Sequence, residues 1–251
     1  MNDAIRSEWI KFRTVRANVV LIMCAIGGPL LISVLSAIFG DFEFEDPGNT
    51  FTVIVLGPTY ICAFLAGVLG VLGIGQEYRH NTIRVTFAAQ PRRSVVLAAK
   101  TIVNGAFGLA IGLLTPLLCF GFGWVILRLR DVDLSLTNPS VNLIALIGQG
   151  LFAAMLALMG FGLGCIMRQP AGAIPTLLLW PLIAEGILTG VLEAIWEGSW
   201  KWLPFRAGVR LGVNYDDASE FLSRPAAGFY FLAWTAAVVG LGWWLAERRD
   251  A

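Results

Sequence analysis

Charge is scarce in this 251-residue chain: Asp, Glu, Lys and Arg make up 14% of it, where a soluble domain carries about a quarter. So little charge excludes a globule facing water on all sides. With 57% hydrophobic residues, the composition points to a chain integral to a membrane. Lysine is rarer still. The three lysines are Lys11, Lys100 and Lys201, none follows a glycine, and the nucleotide-binding loop G-x-x-x-x-G-K-[ST] is absent. This polypeptide therefore does not bind ATP in that way. The single histidine, His80, has no serine or cysteine that spacing would bring within reach for a nucleophilic triad, so it reads as a solvated loop residue. Cys24, Cys62, Cys119 and Cys165 fall one in each of the first four apolar runs without metal-ligand spacing. They read as plain small hydrophobes, and no metal or cofactor site is expected.

What the chain has in abundance is long apolar runs. Crossing a hydrocarbon core of about 30 Å takes roughly 20 apolar residues in a helix. Six candidates stand at about 17–39, 51–75, 95–127, 141–167, 171–192 and 226–246. The runs are continuously apolar and do not alternate, so helices are indicated and a barrel is not. The third run is long for one span, and Thr115–Pro116 in its middle predicts a kink. The first run exceeds the length of a signal-peptide h-region, and no small-residue cleavage site precedes the acidic loop, so it is expected to stay as a span. With no repeat and no low-complexity tail, residues 1–251 read as one membrane domain.

An even number of spans puts both termini on one side. Placing them in the cytoplasm gives that side 12 of the 18 basic residues, while the first outer loop, "GDFEFEDPGN", has none. The expected orientation is N-in and C-in. At the start of the chain, Ile5, Trp9 and Phe12 recur on one helical face, and Arg6, Lys11 and Arg13 leave it. Residues 1–16 are thus expected to form a helix in the headgroup layer, with Trp9, Phe12, Lys11 and Arg13 at the membrane interface and the cations toward phosphates; a topology-fixing basic flank is the plainer alternative. The outer segment 193–225 holds Trp196, Trp200 and Trp202 and is expected to fold back onto the leaflet as short helices.

The loop "EYRHNTIRVTFAAQPRR", residues 77 to 93, gathers four arginines, a glutamate and the histidine between two spans. It reads as a topology anchor, a small-molecule site or a handle for another protein. Asn81 tolerates a left-handed backbone and can end the second span, Thr82 can cap a short helix, and Pro91 can stop it. Ile83 and Phe87 lie one turn apart with Arg84 to the side. Ser94 can cap the third span, which carries Lys100 in its second turn. A capped and stopped helix is more structure than an anchor needs.

This loop, continued as "EYRHNTIRVTFAAQPRRSVVLAAK", resembles the first cytoplasmic loop of ABC-2-type permeases, the membrane subunits of ATP-binding-cassette exporters. The N-terminal "SEWIKFRTVRA" is similar to the connecting helix before their first span, and six spans with "WLPF" in the last outer segment also match. Asn81 stands where the family commonly has glycine. The resemblance implies that residues from about 82 to 90, within the loop 76–94, form a coupling helix docking into a cytoplasmic ATPase, where ATP and Mg would bind. Glu77, Tyr78, Arg79, Thr82, Arg84, Arg92, Arg93 and Lys100 would form or support that contact. Charge on a short rigid element suits an interface that keeps register while moving.

Glu185 is the one acid deep in a span, with Pro181 four residues earlier and Gly186 beside it. A charged carboxylate there costs about 2.5–3.5 kcal/mol or more, so it faces protein or water. Together with Pro181 and Pro116 it is a candidate for a substrate pathway or a permease–permease contact; a protonated packing glutamate is the alternative. Gly67, Gly70, Gly73 and Gly75, and Gly160, Gly162 and Gly164, are read as packing positions. The leading expectation is an all-α exporter permease of the bacterial plasma membrane, itself not an enzyme, working with a separate ATPase and a second copy or a related permease. The cargo would be hydrophobic or amphipathic, the lipid bilayer the surrounding partner, and no nucleic acid is involved. A membrane scaffold or sensor binding a cytoplasmic regulatory protein and an ion-driven carrier are the alternatives.

Overall fold

The structure is a computed structural model that describes residues 1–42, 47–90, 92–132, 134, 143–196, 198–213 and 222–248. It is 88% helical. Six helices are long and apolar enough to span a bilayer: Arg16–Phe39, Asn49–Arg79, Arg93–Arg128, Leu143–Met167, Pro170–Ile195 and Arg224–Arg248. They follow the six apolar runs. The second and third overshoot their runs at one end, to Arg79 and from Arg93, because polar residues there have partners within the protein.

The second and fourth spans form the centre, with two-thirds of their most apolar windows buried. Bilayer hydrocarbon is as apolar as leucine, so helices associate through close packing. Glycine provides it here. A Cβ on Gly70 would overlap the carbonyl oxygen of Ala157, and one on Gly160 would overlap that of Gly67. The third span packs on the same fourth-span surface, while the fifth is mostly exposed. The third span runs unbroken through Pro116, which is buried, and the Thr115 hydroxyl donates to the Ile111 carbonyl at 2.8 Å. The fifth span does depart from α-geometry: a π-helical turn at Trp180–Ala184 contains Pro181, whose missing N–H leaves a carbonyl unpaired one turn back.

The second span ends as its sequence predicts. Asn81 has φ of 57°, and the amides of Thr82 and Asn81 donate to the carbonyls of Glu77 and Tyr78, at 2.9 and 3.2 Å. This is a Schellman ending, with asparagine in the left-handed position. Helix Ile83–Ala89 follows, burying Ile83 and Phe87 and exposing Arg84. Thr82 precedes it without capping it: its hydroxyl turns back to the Glu77 carbonyl at 3.4 Å. Ser94 is no cap either, since the third span starts one residue earlier at Arg93. The stop expected at Pro91 lies outside the described residues.

After the fifth span, a 3-10 turn at Ser199–Trp202 leads into helix Pro204–Val209. These are short helices, as expected, and the second is inserted into the bundle. Leu203, Phe205, Ala207 and Leu211 are buried. Irregular backbone at membrane depth needs partners from the protein. Tyr60 and Tyr230 donate hydroxyls to the carbonyls of Val209 (3.3 Å) and Trp202 (2.6 Å). Arg210 and Arg224 both donate to the Val213 carbonyl, each at 3.3 Å.

Candidate functional site

The N-terminal helix and the end of the sixth span at Arg248 lie at the same end of the bundle, where Arg93 donates to the Glu247 carbonyl at 3.3 Å. At that end the helix Asn2–Thr14 packs against the third span. Phe12 is buried with its ring stacked on Phe107, centroids 4.4 Å apart, and Trp9 lies beside the same ring at 4.6 Å while staying partly exposed. The apolar face thus meets protein. The same inward side carries Glu8 and Lys11, whereas Arg13 is exposed.

Glu8, Lys11, Glu77 and Lys100 close into a ring of alternating charge. The Lys100 ammonium contacts Glu8 Oε2 and Glu77 Oε1, both at 2.7 Å, and Lys11 contacts Glu8 Oε1 at 2.8 Å and Glu77 Oε1 at 3.0 Å. Two positive and two negative groups cancel. The Lys100 side chain is completely buried, and its third donor reaches the Gly73 carbonyl at 3.3 Å. Glu77 spends one oxygen on both lysines. Its other oxygen lies 3.4 Å from the Thr86 hydroxyl, whose single proton it shares with the Thr82 carbonyl at 3.3 Å, and Thr86 stands on the loop helix. The ring therefore joins four elements: the N-terminal helix, the end of the second span, the start of the third, and the loop helix. A cleft of about 470 Å³ beside it is lined by Glu8, Lys11, Glu77 and Thr86 among others.

Electrostatics holds Lys11 in its charged form. Burial works against the ammonium, but its hydrogen bond to Glu8 and the charges of Glu77 and Glu8 outweigh it, and the pKa ends above its ordinary 10.5. For a raised ammonium pKa the stabilisation is complete below the unfolded-chain value and is lost as pH climbs through the folded one. The difference in melting temperature between wild type and Lys11→Met should thus stay constant from about pH 7 to 10 and shrink only at higher pH. Detergent melts across that range check it.

The other loop residues are placed differently. Tyr78 is half-buried under the Arg168 guanidinium, 5.4 Å from its ring centre, and Arg93 lies 5.1 Å over the Phe87 ring. Arg79, Arg84 and Arg92 are exposed, as is Val85 on the loop helix. Glu77 and Lys100, expected at a surface contact, are instead engaged within the chain. Glu8 is the member of the ring that sequence left unmarked. Its signal was an acid three residues before Lys11 on a basic side, but nothing in that spacing shows which way the pair faces.

In the fifth span, Glu185 is buried, and its two oxygens accept the backbone N–H groups of Phe205 (2.8 Å) and Arg206 (3.1 Å). It thereby ties this span to the inserted helix. Pro181 lies on the wall of the same region and Pro116 in the interior of the third span.

Six apolar helices and a charge ring linking spans to a loop helix define an α-helical integral membrane protein. The sequence model of the ABC-2 family transporter proteins matches residues 4–179, and the chain belongs to that family. The match takes in the ring, the loop helix and the first four spans. No curated protein matches the chain. Its class is the permease subunit of ATP-binding-cassette transporters, which typically works with an ATP-binding-cassette partner.

Proposed function

We propose that this chain is the permease of an ATP-driven exporter in a bacterial plasma membrane. A separate cytoplasmic ATPase, which binds ATP and Mg, supplies the energy, and a second copy or a related permease completes the pathway. The cargo is a hydrophobic or amphipathic compound, such as a drug, a peptide or a lipid-like molecule. The end carrying both termini faces the cytoplasm, in keeping with its basic excess. Helix Ile83–Ala89 docks on the ATPase through Arg84 and Val85, with Arg79 and Arg92 beside it, and Tyr78, Thr82 and Arg93 hold that helix in place.

The observation that carries this reading is the bond from Thr86 to the ring. A push on the loop helix moves Glu77, and Glu77 cannot move without Lys11 and Lys100, hence without the N-terminal helix and the third span. Movement at the ATPase thereby reaches the spans.

The test is co-purification with the ATPase encoded nearest to this chain, with hydrolysis measured with and without the permease. Arg84→Glu reverses an exposed charge and should weaken association by about tenfold, or ~1.4 kcal/mol, with membrane insertion intact. Unchanged association and hydrolysis in that variant would remove Arg84 from the interface.

A further inference from the structure

Glu185 lies ten residues before the end of the fifth span at Ile195, about 15 Å along the helix and so near the middle of a hydrocarbon core of about 30 Å. It is 1% exposed on a span that is otherwise mostly exposed. The backbone N–H groups of Phe205 and Arg206 hold its carboxylate but do not neutralise it. Among the described residues, no cation lies within ion-pair distance of Glu185. Arg206 lends it some positive field, yet the guanidinium lies over the Trp200 ring, 5.6 Å from its centre. Buried charges are ordinarily paired, and ionisable groups at this depth mark binding sites or pathways. The missing element is a positive charge.

Next to the carboxylate is a cavity of about 320 Å³ whose wall includes the aromatic side chains of Tyr60, Phe64 and Phe205, and Arg206 lies on that wall as well. Aromatic faces attract a cation through their quadrupoles, and they do so most strongly where water is excluded. A mostly apolar chamber with a small number of placed polar groups is the common build of a small-molecule site. Rings and a carboxylate around one chamber match an ammonium with hydrocarbon substituents, whose charge would face Glu185 and whose apolar parts would face the rings.

We propose that this cavity binds an organic cation, an amphiphile with a protonated or quaternary amine, and that Glu185 is its counter-ion. The proposal rests on the permease reading only in taking that ligand as the class of cargo.

The probe is tetraphenylphosphonium, set against tetraphenylborate, an anion of nearly the same shape. The purified chain in nanodiscs, without any ATPase, is dialysed against each ion, and uptake by empty discs is subtracted. The expected result is saturable binding of the cation, about tenfold or more tighter than that of the anion. Glu185→Gln keeps one acceptor for the inserted helix and removes the charge, and should weaken cation binding by about tenfold. Tyr60→Leu keeps the carboxylate and should weaken it several-fold. Equal binding of the two ions by wild type, which requires no variant to fold, overturns the proposal. So does undiminished cation binding by Glu185→Gln. With no ATPase present, failure here leaves the coupling reading intact, and failure of the coupling experiment leaves this result standing.

Discussion

Replacing Lys100 by methionine should destabilise the protein by about 3–5 kcal/mol, the usual result of breaking a buried ion pair from one side. Methionine nearly matches the volume of lysine, so packing is kept and the charge alone is removed. Glu8 and Glu77 would then face each other across a space with only Lys11 between them, and the Lys11 side chain is 44% exposed. Most of the expected loss is the cost of leaving those carboxylates under-compensated. In a protein of this size it should lower the melting temperature in detergent by on the order of 10 °C. Adding Glu77→Gln restores neutrality, since one glutamate and one lysine remain, and should recover most of that stability. The double variant keeps an acceptor for Thr86 at position 77 but has lost the ion pairs that tie this position to Lys11 and Lys100, and so to the N-terminal helix and the third span. Stimulation of the partner ATPase should therefore stay low although the protein is folded. A Lys100→Met variant that melts like wild type would show that the ring does not hold these helices together. A double variant that couples normally would show that the ring is not the path of transmission.

The second large effect concerns backbone contact at the centre of the bundle. Gly70→Ala should cost about 3 kcal/mol or more, the upper end of what overpacking costs. The added methyl would overlap the Ala157 carbonyl, and backbone cannot rotate aside as a side chain can. Gly160→Ala should do the same from the opposite helix, because its Cβ meets the Gly67 carbonyl. The second and fourth spans would have to separate, and every contact between them would weaken. Gly28→Ala on the first span is the control. No atom lies within 4 Å of its added methyl, so it should be neutral or slightly stabilising through helix propensity. Thermal melts of the three variants decide the matter. If Gly70→Ala behaves like Gly28→Ala, the close approach of these two spans is not what holds the centre.

Much of the architecture follows from local chemistry. Six continuously apolar stretches in a chain poor in charge can only be helices across a bilayer, because lipid offers no partner to an open backbone. The Schellman ending at Asn81 and the inward pair Ile83 and Phe87 were also legible, since each depends on a residue's own backbone preference or on helical spacing.

The site was less legible. Helical period tells which side chains share a face but not what that face meets. Glu77 and Lys100 were visible as charges in a loop motif, yet their partners lie 66 and 92 residues away along the chain, at Lys11 and Glu8. The same is true of the inserted helix, which finds its hydrogen bonds in Tyr60 of the second span and Glu185 of the fifth.

By itself the sequence determined that this chain spans a membrane six times, which stretches cross it, and where a short charged helix interrupts them. These outcomes depend on the transfer of each segment between water and lipid, a property that a segment carries alone. Only the tertiary structure decided that four scattered charges form one neutral ring, and that Glu185 faces an aromatic-walled cavity with no cation within ion-pair distance among the described residues. The free energy of a buried charge is set by the groups around it, and those groups come together only when the whole chain has folded.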